Sequence, residues 1–145
     1  RGNRPQFHPG AVREFHGEPP VGIKAARPFC GGCLVIEGDS YKTEPDLAER
    51  VARSVKLNDW QMVVLHDNIA FADSVEKFLW ATWTRFNPST DITARSVELK
   101  NNHIGYTAPI VIDARMKPWY PKEVEPTEDV VKLVDSRWNE YFPKK

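Results

Sequence analysis

The sequence predicts a small α/β sandwich in which a mainly parallel sheet packs against helices. Apolar runs of strand length at 33–37 and 61–65 alternate with segments of helical periodicity at 44–56 and 75–86. The run at 61–65 is apolar on both faces, which is typical of a strand in a sheet that is covered on both sides. Since strands connected through helices pair in parallel, this alternation favours a parallel sheet. The 145 residues, 41% of them hydrophobic, suffice for one core.

The chain divides into a predicted irregular arm, residues 1–29, and a predicted α/β domain, residues 30–145. The arm is rich in proline and glycine, and this density of breakers disfavours long helices and central strands. We expect the arm to extend over a neighbouring domain or a partner chain; the alternative is a partly ordered terminus. Residue 1 is Arg, so we expect either that a segment was removed or that the chain is a piece of a longer protein.

Helix boundaries follow from capping residues. Thr43 is predicted to cap the first helix and Asp73 the second, which ends before Pro88. Thr127 is predicted to cap a last helix. The apolar face of that helix comprises Val130, Val134, Trp138 and Tyr141.

The segment between the second and last helices has less regular signals. Alternation of apolar and polar residues at 91–99 indicates a third strand. Residues 100–109 are predicted to form a polar loop, and 110–113 are a short apolar stretch.

Composition limits the partners and the compartment. Lys and Arg together number 20, as do Asp and Glu, so the formal net charge is zero and no global charge attracts nucleic acid or an anionic membrane. Neutrality favours association, so we expect an oligomer or a larger parent protein. The two cysteines are too few for a disulfide framework, and no apolar run reaches the length of a membrane helix. The expected location is therefore the cytoplasm.

Cys30-Gly31-Gly32-Cys33 has three interpretations. A thioredoxin-type redox pair follows a strand and opens a helix, which lowers the thiol pKa, whereas this pair precedes a strand. A zinc site needs four ligands, and only His8 and His16 are available to complete one. The third interpretation is a tight glycine turn beside the core.

His66-Asp67-Asn68 lies at the carboxyl end of a predicted strand, where open α/β sheets bind ligands. A His–Asp pair suggests acid–base chemistry, but no nucleophile is placed near it, and Asp and Asn are also ordinary turn residues. Glycine fingerprints for phosphate and a G-x-S-x-G elbow are absent from the sequence. The many Trp and Tyr residues favour core packing or a protein interface over nucleic-acid stacking, because no basic groove accompanies them.

A family resemblance rests on the segment 61–91. Met-Val-Val-Leu-His-Asp-Asn-Ile at 62–69 is followed at 78–91 by Phe-Leu-Trp-Ala-Thr-Trp-Thr-Arg-Phe-Asn-Pro-Ser-Thr-Asp. This block resembles the C-terminal domain of the UbiD decarboxylase/carboxylase family, in which a strand and an acidic turn lead into a helix reading L-W-A-x-x-T-R and then P-x-x-D. Residues 112–114 resemble the family's I-D-A-T, with Arg115 in place of Thr, and 134–141 resemble its terminal helix, V-x-x-R-W-x-x-Y. The resemblance covers roughly residues 28–142.

The resemblance implies a C-terminal domain or small subunit of a carbon–carbon lyase that acts on aromatic or unsaturated carboxylic acids. The family's prenylated FMN, divalent metal and Glu-Arg-Glu catalytic set lie in the preceding part of the enzyme. No position here matches those motifs, so no catalytic, cofactor-binding or metal-binding residue is carried over. The implied role is a mobile lid and an oligomer interface for a larger catalytic chain or domain. The alternative is a non-catalytic interaction or scaffold module.

Two side-chain predictions follow from the motif. Arg85 is expected to pair with Asp91 or with a carbonyl at a helix C-terminus. Trp80 and Trp138 are expected to be mostly buried, within the domain or at a subunit interface. The family's acid-rich turn is diluted here to His66-Asp67-Asn68, which is the main departure from the pattern.

Overall fold

The computed structural model describes residues 14–121 and six later residues, all helical: Glu128, Asp129, Lys132, Leu133, Ser136 and Arg137. The arm up to residue 13 and the predicted apolar face of the last helix, Val130, Val134, Trp138 and Tyr141, lie outside the described residues. Among the described helices, none is long and apolar enough to cross a membrane.

A five-stranded sheet in the order β1-β2-β3-β5-β4 forms the centre of the fold. Its three inner strands are parallel, and an antiparallel pair closes each edge. The predicted α/β class and the parallel centre are confirmed, and the sheet as a whole is mixed. The strands are β1 (Ile23–Cys30), β2 (Cys33–Gly38), β3 (Met62–His66), β4 (Ile92–Lys100) and β5 (His103–Asp113).

Helices cover both faces of the sheet, as the apolar character of β3 predicts. Helix α1 (Leu47–Arg53) packs on one face, where the core includes Leu34, Val63 and Val111. Helix α2 (Val75–Thr84) lies on the other, where Phe78 packs near the smaller buried cluster that contains Val64 and Ile112. Short 3₁₀ turns, Val55–Leu57 and Ile69–Ala72, follow α1 and precede α2.

Two of the three predicted helix caps are wrong, by three residues at α1 and by one residue at α2, and the third, Thr127, lies outside the described residues. Helix α1 begins after Asp46, while the Thr43 hydroxyl lies 2.9 Å from the Ser40 hydroxyl in the preceding turn. Helix α2 is capped by Ser74, whose Oγ accepts the backbone N–H of Lys77 at 3.2 Å. In each case several neighbouring residues were of a type that caps helices, and the helix begins after a later one than predicted.

Two regions predicted as irregular are strands. The arm was placed at 1–29, but its last residues form β1, an edge strand in which Pro28 is tolerated because one side makes no ladder. The predicted polar loop at 100–109 is instead the last residue of β4, the turn and the first half of β5. Asn101 and Asn102 both have positive φ, 51° and 62°, which is the geometry of a two-residue hairpin turn.

Candidate functional site

Polar side chains collect where the carboxyl ends of β3 and β5 meet. The two strands are parallel, so Asp67 after β3 and Asp113 at the end of β5 lie at the same edge of the sheet. Asp91 precedes β4, which runs antiparallel to β5, and its carbonyl accepts the N–H of Asp113 at 2.8 Å. We call the group of Asp91, Asp113, Arg115 and Lys117 the polar cluster; each of these residues is at most 9% exposed.

Arg115 is fully buried and joins separate segments of the chain. Its Nε and Nη2 donate to Oδ1 and Oδ2 of Asp113 at 3.0 and 2.8 Å, a bidentate ion pair. Its Nη1 donates to the carbonyl oxygens of Asp39 and Glu44 at 2.8 and 2.9 Å. Those carbonyls belong to the loop between β2 and α1. Arg115 therefore fixes that loop to the end of β5.

Lys117 connects the cluster to α2. Its Nζ lies 3.1 Å from Oδ2 of Asp91 and donates to the carbonyl of Arg85, the C-terminal capping residue of α2, at 3.0 Å. A further hydrogen bond goes to the carbonyl of Asp113. A cation at a helix C-terminus is favourable because unpaired carbonyls give that end a partial negative charge. The two cations and two carboxylates of the cluster are thus hydrogen-bonded into the framework of the fold.

His66 is buried between the sheet and α2, and its position does not suit acid–base chemistry near neutral pH. Its Nε2 lies 2.9 Å from the Thr82 hydroxyl. Burial lowers the pKa of His66 to about 4, and the positive charge of Arg85 contributes to the decrease. The ring is therefore neutral at pH 7 and has no exposed surface.

The other two residues of the diluted acidic turn bind backbone. Oδ2 of Asp67 accepts the N–H of Met116 at 2.6 Å, and Oδ1 of Asn68 accepts the N–H of Ala70 at 2.9 Å. The Asn68 contact is that of an ordinary turn residue, which is the alternative that the sequence left open, whereas the Asp67 contact joins the end of β3 to the segment that follows β5.

Arg85 is buried against the aromatic side of α2. Its Nη1 lies 3.7 Å from Oδ2 of Asp67, and its guanidinium lies 4.7 Å from the ring centroid of Phe71 and 5.6 Å from that of Trp80. The sequence named Asp91 or a carbonyl at a helix C-terminus as the partner of Arg85. The structure places Asp67, from the end of a neighbouring strand, beside Arg85 as well.

A small cleft borders the polar cluster. Its volume is about 80 Å³, which is below the several hundred Å³ of a typical site for a small organic molecule. Groups of three or more metal-ligating side chains are not found among the described residues. The cleft is lined by Tyr41, Pro45, Ala48, Glu49, Thr90, Asp91, Thr93 and Asp113.

Cys30 and Cys33 lie opposite each other across the β1–β2 turn. Gly32 has a φ of +77°, and a Cβ there would lie 2.8 Å from the side-chain oxygen of Gln61, so this turn needs glycine. Both thiols are free; Cys30 is exposed and Cys33 is buried. Burial raises the pKa of Cys33 to about 12, the opposite of the shift that activates a redox thiol. The geometry agrees with the glycine-turn interpretation.

Helix α2 presents an apolar surface to solvent. Val75, Leu79 and Trp83 follow at spacings of four residues, with Trp80 beside them, and each is 45–60% exposed. Trp80 was expected to be mostly buried; within this chain it is 53% exposed, so only burial by a partner could satisfy that expectation. We call these four residues the α2 surface.

Comparison with known proteins supports the resemblance. No protein-family profile matches the chain. A protein of Chlamydia pneumoniae that is named as one of the subunits of 4-hydroxybenzoate decarboxylase is 39% identical over 129 residues, which cover 86% of this chain and 21% of that protein. The chain is related to the UbiD-type decarboxylases. It spans about a fifth of the length of the curated relatives that it matches.

One solved structure is similar in fold, and a second is given for comparison. The vanillic acid decarboxylase of Sedimentibacter hydroxybenzoicus, in its closed form, superposes with a TM-score of 0.50 at 16% identity, over 85% of this chain and 29% of that one. An evolved dimeric form of the UbiD-class enzyme HmfF from Pelotomaculum thermopropionicum, in complex with prFMN, gives a TM-score of 0.49 at 22% identity, over 79% and 26%.

Sequence reasoning missed the polar cluster. It noted Arg115 only as a departure from the family's Thr, and it assigned no role to Lys117. A signal was present, because Asp113, Arg115 and Lys117 alternate with apolar or small residues directly after a buried strand. Charged residues at that position need partners when the surrounding sheet is covered.

Proposed function

We propose that this chain is the C-terminal domain or a small subunit of a UbiD-type decarboxylase or carboxylase that acts on aromatic or unsaturated carboxylic acids. The observation that carries the proposal is the 39% identity to a 4-hydroxybenzoate decarboxylase subunit over nearly the whole chain. In the proposed assembly the domain supplies a lid and an interface, and the catalytic residues lie in the remainder of the enzyme. The cytoplasm stays the predicted location.

The prenylated FMN and the divalent metal are proposed to bind outside this domain. The charges beside the cleft support that placement. The cations that could attract a phosphate, Arg115 and Lys117, are buried and already hydrogen-bonded to Asp113 and Asp91.

The α2 surface suits the lid role. Loss or addition of CO₂ at an unsaturated acid is favoured in a pocket from which water is excluded, and a closing apolar surface excludes water. Trp83 and Leu79 offer such a surface, and the buried contacts of Arg85 anchor the C-terminal end of the helix behind it. An exposed apolar surface is equally compatible with a non-catalytic scaffold module. A measurement of enzyme activity is therefore needed to distinguish the two functions.

The test uses the complete enzyme that contains this chain, purified with its flavin. Release of CO₂ from 4-hydroxybenzoate and related acids is measured for the native enzyme, for Trp83→Ser and for Trp119→Ser. Trp119 is a matched control because it is similarly exposed, at 64% against 60%, and lies outside α2. We expect Trp83→Ser to lower kcat by roughly tenfold with flavin content unchanged, and Trp119→Ser to have little effect.

Two outcomes contradict the proposal. If the complete, flavin-loaded enzyme releases CO₂ from none of a panel of aromatic and unsaturated acids, the enzymatic assignment fails. If the native enzyme is active and both variants match it, the lid role fails and the scaffold function is left.

A further inference from the structure

The outer part of the β4–β5 hairpin is a two-stranded ribbon with one apolar face. Val97 lies opposite Tyr106, and Leu99 lies opposite Ile104, so all four side chains point to the same side. Their exposed fractions are 57, 44, 75 and 62%, respectively. We call these four residues the ribbon face.

The opposite side of the ribbon is polar. It carries Ser96, Glu98, Lys100 and His103, and the hydroxyls of Ser96 and Thr107 lie 2.8 Å apart. Alternation of this kind is typical of a strand pair with one buried and one solvated face. An isolated two-stranded ribbon is marginally stable in water, and a contiguous exposed apolar patch marks an interaction site. The ribbon face therefore has the pattern of a covered surface.

We propose that the ribbon face docks on an apolar, uncharged surface of a longer polypeptide that includes this domain, in the part outside the matched region. This inference rests on the proposed function in its C-terminal-domain form, because it identifies where the domain meets the remainder of the enzyme. The curated relatives are about five times as long as the matched segment, since it covers 21–22% of them. A covalently connected neighbour has a high effective concentration, which favours it over a second copy as the occupant.

The chemistry of the ribbon face defines its partner. It carries no charged group, and its one polar atom is the Tyr106 hydroxyl. Burying a charge against such a face without a partner would be costly, so the complementary surface is apolar. The charged side chains Glu98 and Lys100 point to the other side of the ribbon and stay hydrated.

Photocrosslinking in the full-length enzyme tests the contact. The photoreactive amino acid p-benzoylphenylalanine is introduced at Ile104 on the ribbon face or at His103 on the polar side, and crosslinked peptides are mapped by mass spectrometry. We expect position 104 to crosslink to a peptide of the same polypeptide outside residues 1–145, and position 103 to give several-fold less of that product. Crosslinks from 104 to a second copy of the ribbon, or equal yields from both positions, would overturn the proposal.

A matched pair of substitutions gives an independent readout. Leu99→Lys and Glu98→Lys introduce the same residue at neighbouring positions on opposite sides of the ribbon. We expect only Leu99→Lys to increase the radius of gyration of the full-length enzyme, because the domain separates from the surface that it covers. An unchanged radius for Leu99→Lys would contradict the docking. Neither readout depends on catalysis, so an enzyme that crosslinks as expected but lacks decarboxylase activity would refute the proposed function and leave the docking intact.

Discussion

The two halves of β5 face different environments. The second half, ending at Ile112 and Asp113, lies between β3 and β4 and is buried. The first half pairs only with β4, and its side chains at Ile104 and Tyr106 are exposed. One strand thus contributes first to a surface ribbon and then to the centre of the fold.

This difference means that the buried half is stabilised by contacts within the chain, whereas the ribbon half depends on contacts with something else. The buried half ends in the polar cluster, whose charges are neutralised within the chain by Arg115 and Lys117. The ribbon half has apolar area that gains free energy only when something outside the described residues covers it. We expect substitutions in the buried half to lower the stability of the isolated chain, and those in the ribbon to affect association.

The largest expected effect is that of Arg115→Met. The substitution leaves the Asp113 carboxylate buried without its bidentate partner and removes the hydrogen bonds to the carbonyls of Asp39 and Glu44. Removing one member of a buried ion pair costs about 3–5 kcal/mol. Urea unfolding of the chain at pH 7 measures the loss.

Arg53→Met is the control for this experiment. Arg53 is exposed in the last turn of α1, and we expect its replacement to change the free energy of unfolding by less than about 0.5 kcal/mol. If Arg115→Met lowered the free energy of unfolding by less than about 1 kcal/mol, the polar cluster would stabilise the fold less than its contacts indicate.

The sequence predicted the buried half of the molecule better than its surface. Apolar runs and helical periodicity located β2, β3, α1 and α2 because burial on a sheet covered on both faces leaves a continuous hydrophobic signal. The polar cluster escaped because its members come from two segments that are more than 20 residues apart in the chain. Only the antiparallel pairing of β4 and β5 brings Asp91 beside Asp113, and that pairing is a property of the tertiary fold.

The strand at 91–99 was predicted and corresponds to β4, but the second strand of the ribbon was predicted as a polar loop for a related reason. Residues 100–103 are Lys-Asn-Asn-His, which is turn-like composition, and it obscured the alternation that continues on both sides. The two asparagines form the turn itself through left-handed backbone geometry, which Asn tolerates better than most residues. The strand after the turn could be recognised only by pairing Tyr106 with Val97 across it.

The second expected effect is a pH dependence that originates in the buried region. Burial lowers the pKa of His66 to about 4 from its usual 6.5, so the unfolded chain binds a proton more readily than the folded one. The corresponding stability is fully present above about pH 6.5 and is lost as the pH falls towards 4. We expect the free energy of unfolding to decrease by about 2 kcal/mol from this group between about pH 7 and pH 5.

His66→Gln isolates that contribution from the titration of carboxylates. Glutamine is neutral at both pH values and can keep a hydrogen bond to the Thr82 hydroxyl. Urea unfolding at both pH values should show a smaller decrease for the variant than for the native chain. If the free energy of unfolding decreased equally for the two proteins, His66 would take up a proton as readily in the folded chain as in the unfolded one, and its pKa would not be lowered by folding.

The smallest expected effect compares the two halves of β5 directly. Ile112→Val and Ile104→Val remove the same methyl group from the same strand, and both residues keep a high β propensity, so backbone effects largely cancel. Ile112 is 7% exposed and Ile104 is 62% exposed. We expect the free energy of unfolding of the isolated chain to fall by about 0.5–1.5 kcal/mol for Ile112→Val and to change very little for Ile104→Val.

In the full-length enzyme, Ile104→Val should also become measurably destabilising, because the docked ribbon face would then be part of a packed interface. The contrary outcome is that Ile104→Val changes the free energy of unfolding equally in the isolated chain and in the full-length enzyme. The ribbon would then be an ordinary solvated hairpin, and the two halves of β5 would differ only in how deeply they are buried within this domain.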